Sequence, residues 1–488
     1  MEDLPGKSQS VVKGLRRVAC LLLLLPLLPA AEPVVAATAP RPNVVLIVAD
    51  DLEAGTLAYF PNITQHLVRE GASFDRFFVT NSWCCPSRAS ILRSQYVHSH
   101  GVFTNTAPEG GFDSFHAQGL ERSTIGVWMQ NAGYRTALMG KFLNHYPGDT
   151  ADEEYVPPGW DEWAVPVRNL YEEYGYRLNE NGILADYGWA EEDYLSDVLA
   201  RKSRDFIAES QEPFFLYLAP IAPHHPANPA ARHIAAFPLV MAPRTPSFNQ
   251  VDASLEPLWM RELPMLDQPQ IDAIDERHRA RLRAMLGVDD LVGSVVEALR
   301  STGRLENTYI IFTSDNGFHL GTHRIPNGKT TPFEEAIRVP FVVRGPGVRA
   351  GSTINHLGVT VDLAVTIAEL AGATAPAFAE GRSLVPLLRG QSPAKWRKNV
   401  LVEFTRPANR ASAKQTPVPA YQALRTDRYT YVRYDTGERQ LYDLQVDPYQ
   451  LRNLAGEADP VLLAGLDERL AGMVACSGAS CRQADMRE

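Results

Sequence analysis

Four apolar runs along the chain each break off abruptly into a polar cluster. Residues 43–49, NVVLIVA, form a continuous apolar stretch suited to a strand buried on both faces, and it stops at Asp50 and Asp51. Residues 134–140 lead into Lys141, and residues 213–222 lead into Pro223, His224 and His225. Residues 309–313 lead into Ser314, Asp315, Asn316 and Gly317. Between the runs, residues 191–209 and 276–300 carry apolar positions at helical spacing, with Asp289 and Asp290 read as a solvated face. Alternating strands and helices predict an open, mainly parallel sheet whose strand C-termini share one edge, where ligands bind. One such terminus alone reads as a capped turn; four together point to a site.

Further on, residues 339–343 predict another strand, and residues 361–371 a helix with Thr360 as its N-cap and Gly372 as its stop. The texture changes near residue 398. Residues 400–404, the alternating stretch 421–434 and the turn at Asp435, Thr436 and Gly437 predict a hairpin-rich antiparallel sheet, closed by a helix at Pro460–Val474. The expected class is α/β: a large mixed, mainly parallel sheet flanked by helices over residues 40–390, then a smaller antiparallel sheet plus helix over 391–488.

The N-terminus reads as an export signal over residues 1–39: Lys7, Lys13, Arg16 and Arg17 precede an apolar stretch, and the small residues Ala36, Ala37 and Ala39 follow. The apolar stretch is too short and proline-broken to span a bilayer, so the expectation is an exported protein, secreted, periplasmic or lysosomal by host, without stable membrane insertion. Composition changes little: 488 residues, 45% hydrophobic and 21% charged, are ordinary for a globular chain. A net charge of -10 gives no electrostatic support for a nucleic-acid partner, so an anionic substrate must meet a local cluster of cations.

Of the 5 cysteines, Cys20 lies in the signal, and Cys476 and Cys481 are spaced to close a small disulfide loop in an oxidising compartment. Cys84 and Cys85 are adjacent and poorly placed to bond to each other. Cys84 opens a Cys-x-Pro-Ser-Arg run with Pro86, Ser87 and Arg88, where a loop enters a helix and free N–H groups favour an anion. As bare chemistry it reads as a buried small hydrophobe, half of a disulfide, or a reactive centre activated by Arg88.

Several motifs fail. Gly328, Lys329 and Thr330 end like a P-loop, but His323 stands where its first glycine belongs. His98 and His100 lack zincin spacing and read as core or turn histidines, and Asn62, Ile63 and Thr64 form a glycosylation sequon. What remains is one constellation. Asp50, Asp51, Asp315 and Asn316 suit a hard cation, calcium ahead of magnesium. Arg88, Lys141, Lys329, His224 and His319 suit a tetrahedral oxyanion such as sulfate or phosphate.

These residues resemble a known family. Cys84-x-Pro86-Ser87-Arg88, the run from Gly133, Tyr134, Arg135 and Thr136 through Gly140 and Lys141, the Asp50–Asp51 pair and Asp315, Asn316 and Gly317 are similar to the sulfatases of the alkaline-phosphatase superfamily, from about residue 41 to the C-terminus. More narrowly, CCPSR, GKFLNHY from Gly140, PPGWDEW at 157–163, SDNGFHLG at 314–321 and the terminal CSGASC resemble the N-acetylglucosamine-6-sulfatase branch. Leu143 and Asn144 depart from many other sulfatases, which carry a histidine after the lysine.

The resemblance implies that a formylglycine-generating enzyme converts Cys84 to formylglycine, whose hydrate attacks sulfur. It implies calcium, with magnesium second, held by Asp50, Asp51, Asp315, Asn316 and the converted Cys84. Arg88 would steady the converted residue and Lys141, His224 and Lys329 would contact sulfate, with His224 or Lys329 protonating the leaving alcohol; His225 and His319 are further substrate contacts. The implied substrate is a sulfated sugar such as N-acetylglucosamine 6-sulfate. A phosphodiesterase or phosphonate monoester hydrolase of the same superfamily is the nearest rival, and a catalytically silent glycan-binding protein, with Cys84 still a thiol, is the rival of another class.

Overall fold

The structure is a computed structural model that describes Gly14 and residues 41–407 and 417–488; the rest of the stretch read from the sequence as an export signal, Cys20 included, lies outside the described residues. In chain order its strands begin with β1 (Asn43–Ala49), β2 (Ala72–Phe74), β3 (Phe77–Phe78), β4 (Arg135–Gly140), β5 (Glu162–Arg168), β6 (Arg177–Glu180), β7 (Ile183–Asp186) and β8 (Phe214–Ala219). They continue with β9 (Thr308–Ser314), β10 (Phe341–Arg344), β11 (Ser352–Ile354), β12 (Gly358–Val359), β13 (Asn399–Phe404), β14 (Tyr421–Thr426), β15 (Tyr429–Tyr434) and β16 (Arg439–Asp443).

Ten strands form the central sheet in the order β11-β2-β10-β9-β1-β8-β4-β5-β6-β7. Its middle, β9 to β5, is parallel, and antiparallel pairing begins at β10 on one side and β6 on the other. Alternation along β1 shows why its apolar run is unbroken. Val45, Ile47 and Ala49 pack in one core with the helices Leu195–Glu209 and Gln268–Ser301. Val44, Leu46 and Val48 pack in the other core, with the helices Cys84–Arg93 and Asp362–Ala371. A strand covered on both faces has no solvent side to be polar.

The four predicted strand ends fall together. Ala49 pairs with Ser314 and Gly140 with Ala219, so β1, β9, β4 and β8 finish at one edge. Backbone bonds carry the alignment past the strands: Asp50 N donates to Ala222 O (3.2 Å), Lys141 N to Ala219 O (2.7 Å) and Asp315 N to Ala49 O (3.1 Å). Gly140 is the tight point, with φ +101° and a position where a Cβ would lie 2.2 Å from Ala219 O. Gly140→Ala is therefore expected to cost about 2 kcal/mol or more, combining φ strain with a backbone clash, read from the midpoint of denaturant unfolding.

Three sequence expectations need correction. The long helix starts at Gln268, eight residues before the expected start at 276, because Asp267 and Gln270 form a reciprocal cap (2.9 and 3.0 Å). Asp289 is not on a solvated face: it is buried and accepts from the backbone N–H groups of Asn62 (3.0 Å) and Ile63 (2.8 Å), capping the short helix Pro61–Ile63. Its neighbour Asp290 is held by Arg232 and His233. Thr360 does not cap its helix; its hydroxyl accepts from Thr80 N (3.3 Å), while Gly372 closes that helix at φ +69° as expected.

β13 to β16 form a separate antiparallel sheet with its last turn at Gly437 (φ +86°), and the closing helix is Pro460–Val474. Leu401, Leu424 and Tyr431 share the core that covers Val44 and Leu46. Cys476 and Cys481 are disulfide-bonded, and His98 is held there by Glu403 (2.8 Å) and the Cys476 carbonyl (2.9 Å), while His100 is buried. Among the described residues no helix is long and apolar enough to cross a membrane.

Candidate active site

Trp83 is extended and the helix Cys84–Arg93 begins directly after it, with Cys84 as its first residue and Pro86 in its first turn, where a missing N–H costs nothing. Every residue of this helix is buried. The two cysteines have different fates. Cys85 N donates to Asn105 Oδ1 (2.8 Å) and its side chain joins the apolar core. Cys84 Sγ faces the strand ends, 3.5 Å from Asp50 Oδ1 and 3.8 Å from Asp51 Oδ1, and accepts from Lys329 Nζ at 2.7 Å.

Asp50, Asp51 and Asp315 each offer a carboxylate oxygen within 4.8 Å of the others, all buried. Asp51 N donates to Asp315 Oδ1 (3.0 Å), and Asn316 Nδ2 donates to Asp51 Oδ1 (2.8 Å) and Gly317 O (2.9 Å). Asn316 Oδ1 is buried with no protein partner. An orphaned amide oxygen beside three buried carboxylates is a donor set of oxygens only, which fits a hard divalent cation and not zinc. Asp51 adopts φ +72°, a costly conformation for a non-glycine residue, and it is this kink that turns its carboxylate back into the cluster.

The cations interleave with these carboxylates. Lys141 Nζ lies 2.7 Å from Asp50 Oδ2, and Lys329 Nζ is bonded to Asp51 Oδ1. Arg88 donates from Nε to Asp315 Oδ2 (2.8 Å) and from Nη1 to the Lys141 carbonyl (2.8 Å), with Nη2 3.9 Å from Asp50 Oδ1. His224 Nε2 stands 3.8 Å from Asp51 Oδ2; its ring stacks on Tyr171 at 4.0 Å, and Nδ1 meets the His225 carbonyl at 2.7 Å.

Electrostatics follow from this packing. Burial pushes the Asp50 carboxyl up, but Lys141, His224, Arg88 and Lys329 together hold it far below the usual range. Asp51 is lowered too, against burial, chiefly by Lys329. Asp315 moves the other way, to about 6, through burial and the Asp50 charge, which outweigh Arg88. Burial pushes the Cys84 thiol well up in spite of Lys141 and Lys329, so as a thiol it is a poor nucleophile. Burial lowers His224, whereas Lys141 and Lys329 are held protonated by the carboxylates, against the cost of their burial.

Nine of the eleven residues singled out from the sequence thus converge: Asp50, Asp51, Cys84, Arg88, Lys141, His224, Asp315, Asn316 and Lys329. His225 is exposed and lies beside the cluster, lining a neighbouring cavity. His319 is buried with both ring nitrogens engaged, by Thr322 Oγ1 (2.6 Å) and Thr331 Oγ1 (2.7 Å), so it braces the loop after Asn316 and offers no free nitrogen to a substrate.

Two further residues belong to the site. Tyr171 stacks on His224, lies under Lys141 Nζ (5.1 Å from its ring centre), and accepts from Asn144 Nδ2 (3.1 Å). Arg281 donates to the carbonyls of Asp51 (2.5 Å) and Pro223 (3.1 Å), tying the kink at Asp51 to the turn that carries His224. Arg281 did leave a signal: Ile274, His278, Met285 and Val288 share its buried stripe, so a charge there needed a partner. Tyr171 left none, because it sits in an irregular loop between β5 and β6.

Residues 42–373 match the family model described as Sulfatase. The chain belongs to the sulfatase family. A second family model, N-sulphoglucosamine sulphohydrolase, C-terminal, matches residues 321–474. This sulfatase is 36% identical over 482 residues to human N-acetylglucosamine-6-sulfatase, across 92% of this chain and 87% of the human one. It is 32% identical over 517 residues to an arylsulfatase of Volvox carteri, across 94% of this chain and 79% of that one. It is a sulfuric ester hydrolase. Solved structures share the fold: one, in complex with its substrate D-glucosamine-2-N,6-O-disulfate, superposes with a TM-score of 0.77 at 24% identity over 92% of this chain and 99% of that one. The phosphonate monoester hydrolase of Agrobacterium radiobacter superposes with a TM-score of 0.70 at 23% identity over 88% and 95%.

Proposed function

We propose that this sulfatase removes the sulfate ester from a sulfated sugar, a 6-sulfated glucosamine unit first among candidates. It does so with Cys84 converted to formylglycine and with calcium, ahead of magnesium, held by Asp50, Asp51, Asp315 and Asn316. The observation that carries the reading is the position of Cys84 Sγ, between the Asp50 and Asp51 carboxylates and 2.7 Å from Lys329 Nζ. The likeness to human N-acetylglucosamine-6-sulfatase over most of both chains supports the choice of sugar.

The converted residue supplies an oxygen nucleophile where the thiol stands, and the cation supplies the positive charge that makes such an oxygen reactive near neutral pH. The chain's own groups do the rest. Arg88, locked between Asp315 and the Lys141 carbonyl, fixes the helix start that presents residue 84. Lys141 and Lys329 place two ammonium groups where negative charge grows on sulfate oxygens, in a buried setting where such charge stabilisation is strong. His224 and Lys329 stand on the open side, their side chains 22% and 12% exposed. The leaving oxygen therefore departs past them and takes its proton there, a transfer worth about 100- to 10,000-fold in rate.

Maturation would need a formylglycine-generating enzyme, and export is supported by the N-terminal pattern and by a putative extracellular sulfatase of Caenorhabditis elegans, 37% identical over 377 residues, 74% of this chain and 52% of that protein. Residues 40–390 would be the catalytic part and 391–488 a C-terminal subdomain. Turnover of N-acetylglucosamine 6-sulfate, a matched aryl phosphodiester and a phosphonate monoester tests the reading. The sulfated sugar is expected to give the highest kcat/KM. Faster cleavage of the phosphodiester or phosphonate would overturn it in favour of the activity named for the Agrobacterium neighbour.

A further inference from the structure

A cavity of about 300 Å³ opens beside the cluster, lined by His225, Glu276, Arg277, Ala280, Arg281 and Phe318 among others. It shares its walls with the site already described. His225 follows His224, Phe318 lies two residues beyond Asn316, and Arg281, stacked 4.3 Å over the Phe318 ring, holds the carbonyls of Asp51 and Pro223. Arg277 sits one helical turn before Arg281 and so presents its guanidinium to the same side.

The charges around the cavity do not cancel. Glu276 is engaged by Arg279 (2.9 Å) and Arg283 (3.0 Å), and the nearby Glu53 is engaged by Arg281. Arg277 is half-buried and, among the described residues, has no carboxylate partner; the groups acting on it are burial and the like charge of Arg281. A guanidinium in a hollow, without a counterion, beside a site that takes an anion, is a recognition element waiting for a second anionic group.

We propose that this cavity is a second anion subsite, in which Arg277, flanked by His225, binds a carboxylate or sulfate carried elsewhere on the saccharide whose ester lies at Cys84. The proposal rests on the sulfated-sugar reading and adds to it that the preferred substrate is polyanionic. Arg281 is already committed to Asp51 and Pro223, so selectivity falls on Arg277, which has no carboxylate partner among the described residues.

Binding to the calcium-loaded, full-length Cys84→Ala protein tests this without turnover. Calorimetry with N-acetylglucosamine 6-sulfate and with a 6-O-sulfated heparin tetrasaccharide gives a preference for the tetrasaccharide. Arg277→Gln is expected to weaken the tetrasaccharide by about tenfold and the monosaccharide by less than about twofold, with Arg277→Lys recovering much of the loss. Equal loss on both ligands, or no loss on either, overturns the subsite. Sulfate release by the Cys84 protein is read separately: tetrasaccharide binding that depends on Arg277, with no sulfate released from either sugar, would keep the subsite and sink the sugar-sulfatase reading.

Discussion

Cys84→Ala is expected to lower sulfate release by about ten-thousand-fold or more while leaving the fold intact, because it removes the side chain from which the proposed nucleophile is made and nothing that holds the cluster together. The thiol is one acceptor for Lys329, which keeps its bond to Asp51 in the variant, and Asp50 keeps Lys141. The unfolding midpoint should therefore move little. Cys84→Ser is the sharper control: it restores a hydroxyl at the same place, yet a serine in a host that converts only cysteine should stay nearly as inactive as alanine. Activity of Cys84→Ser close to the parent would show that an ordinary hydroxyl suffices there.

Arg88→Ala is expected to destabilise the protein by about 3–5 kcal/mol, the cost of leaving a buried carboxylate without its partner. Arg88 and Asp315 are both fully buried, and the Nε–Asp315 bond is 2.8 Å. In chelator the loss should grow with pH. Asp315 has a pKa of about 6 in the folded state against 3.8 for an ordinary aspartate, so the folded form holds its proton more tightly and loses stability as pH rises through that window. Removing Arg88 extends the window upward. Urea unfolding of both proteins between pH 5 and 8 measures it, and a loss that shrinks with pH would contradict the assignment. Arg88→Lys keeps a charge but not the fork that reaches both Asp315 and the Lys141 carbonyl, and should fall between the two.

Much of this site could be read without coordinates, for a physical reason. The strands β1, β8 and β9 are covered on both faces, so their apolar runs are continuous and their ends are marked by the first residue that carries a charge. A sheet that delivers four such ends to one edge places Asp50, Lys141, His224 and Asp315 together by topology alone. The failures share a different cause. Asp289 looked solvated because its partners, the backbone of Asn62 and Ile63, are more than two hundred residues away, and no local pattern marks a distant cap. His319 looked like a ligand contact because histidines beside a site usually are candidates, but two threonine hydroxyls had already claimed it. Tyr171, which sets the plane of His224, lies in a loop where neither periodicity nor composition reports position.

The central claim is that hydrolysis runs from a converted Cys84. Mass spectrometry of the tryptic peptide spanning residues 77–88, on preparations with graded coexpression of a formylglycine-generating enzyme, tests it most directly when each preparation's sulfate release is measured alongside. Sulfate release per mole of protein should rise in proportion to the aldehyde-bearing fraction and extrapolate to zero where the peptide is all thiol. Full sulfate release from protein whose peptide is entirely unmodified would contradict the mechanism.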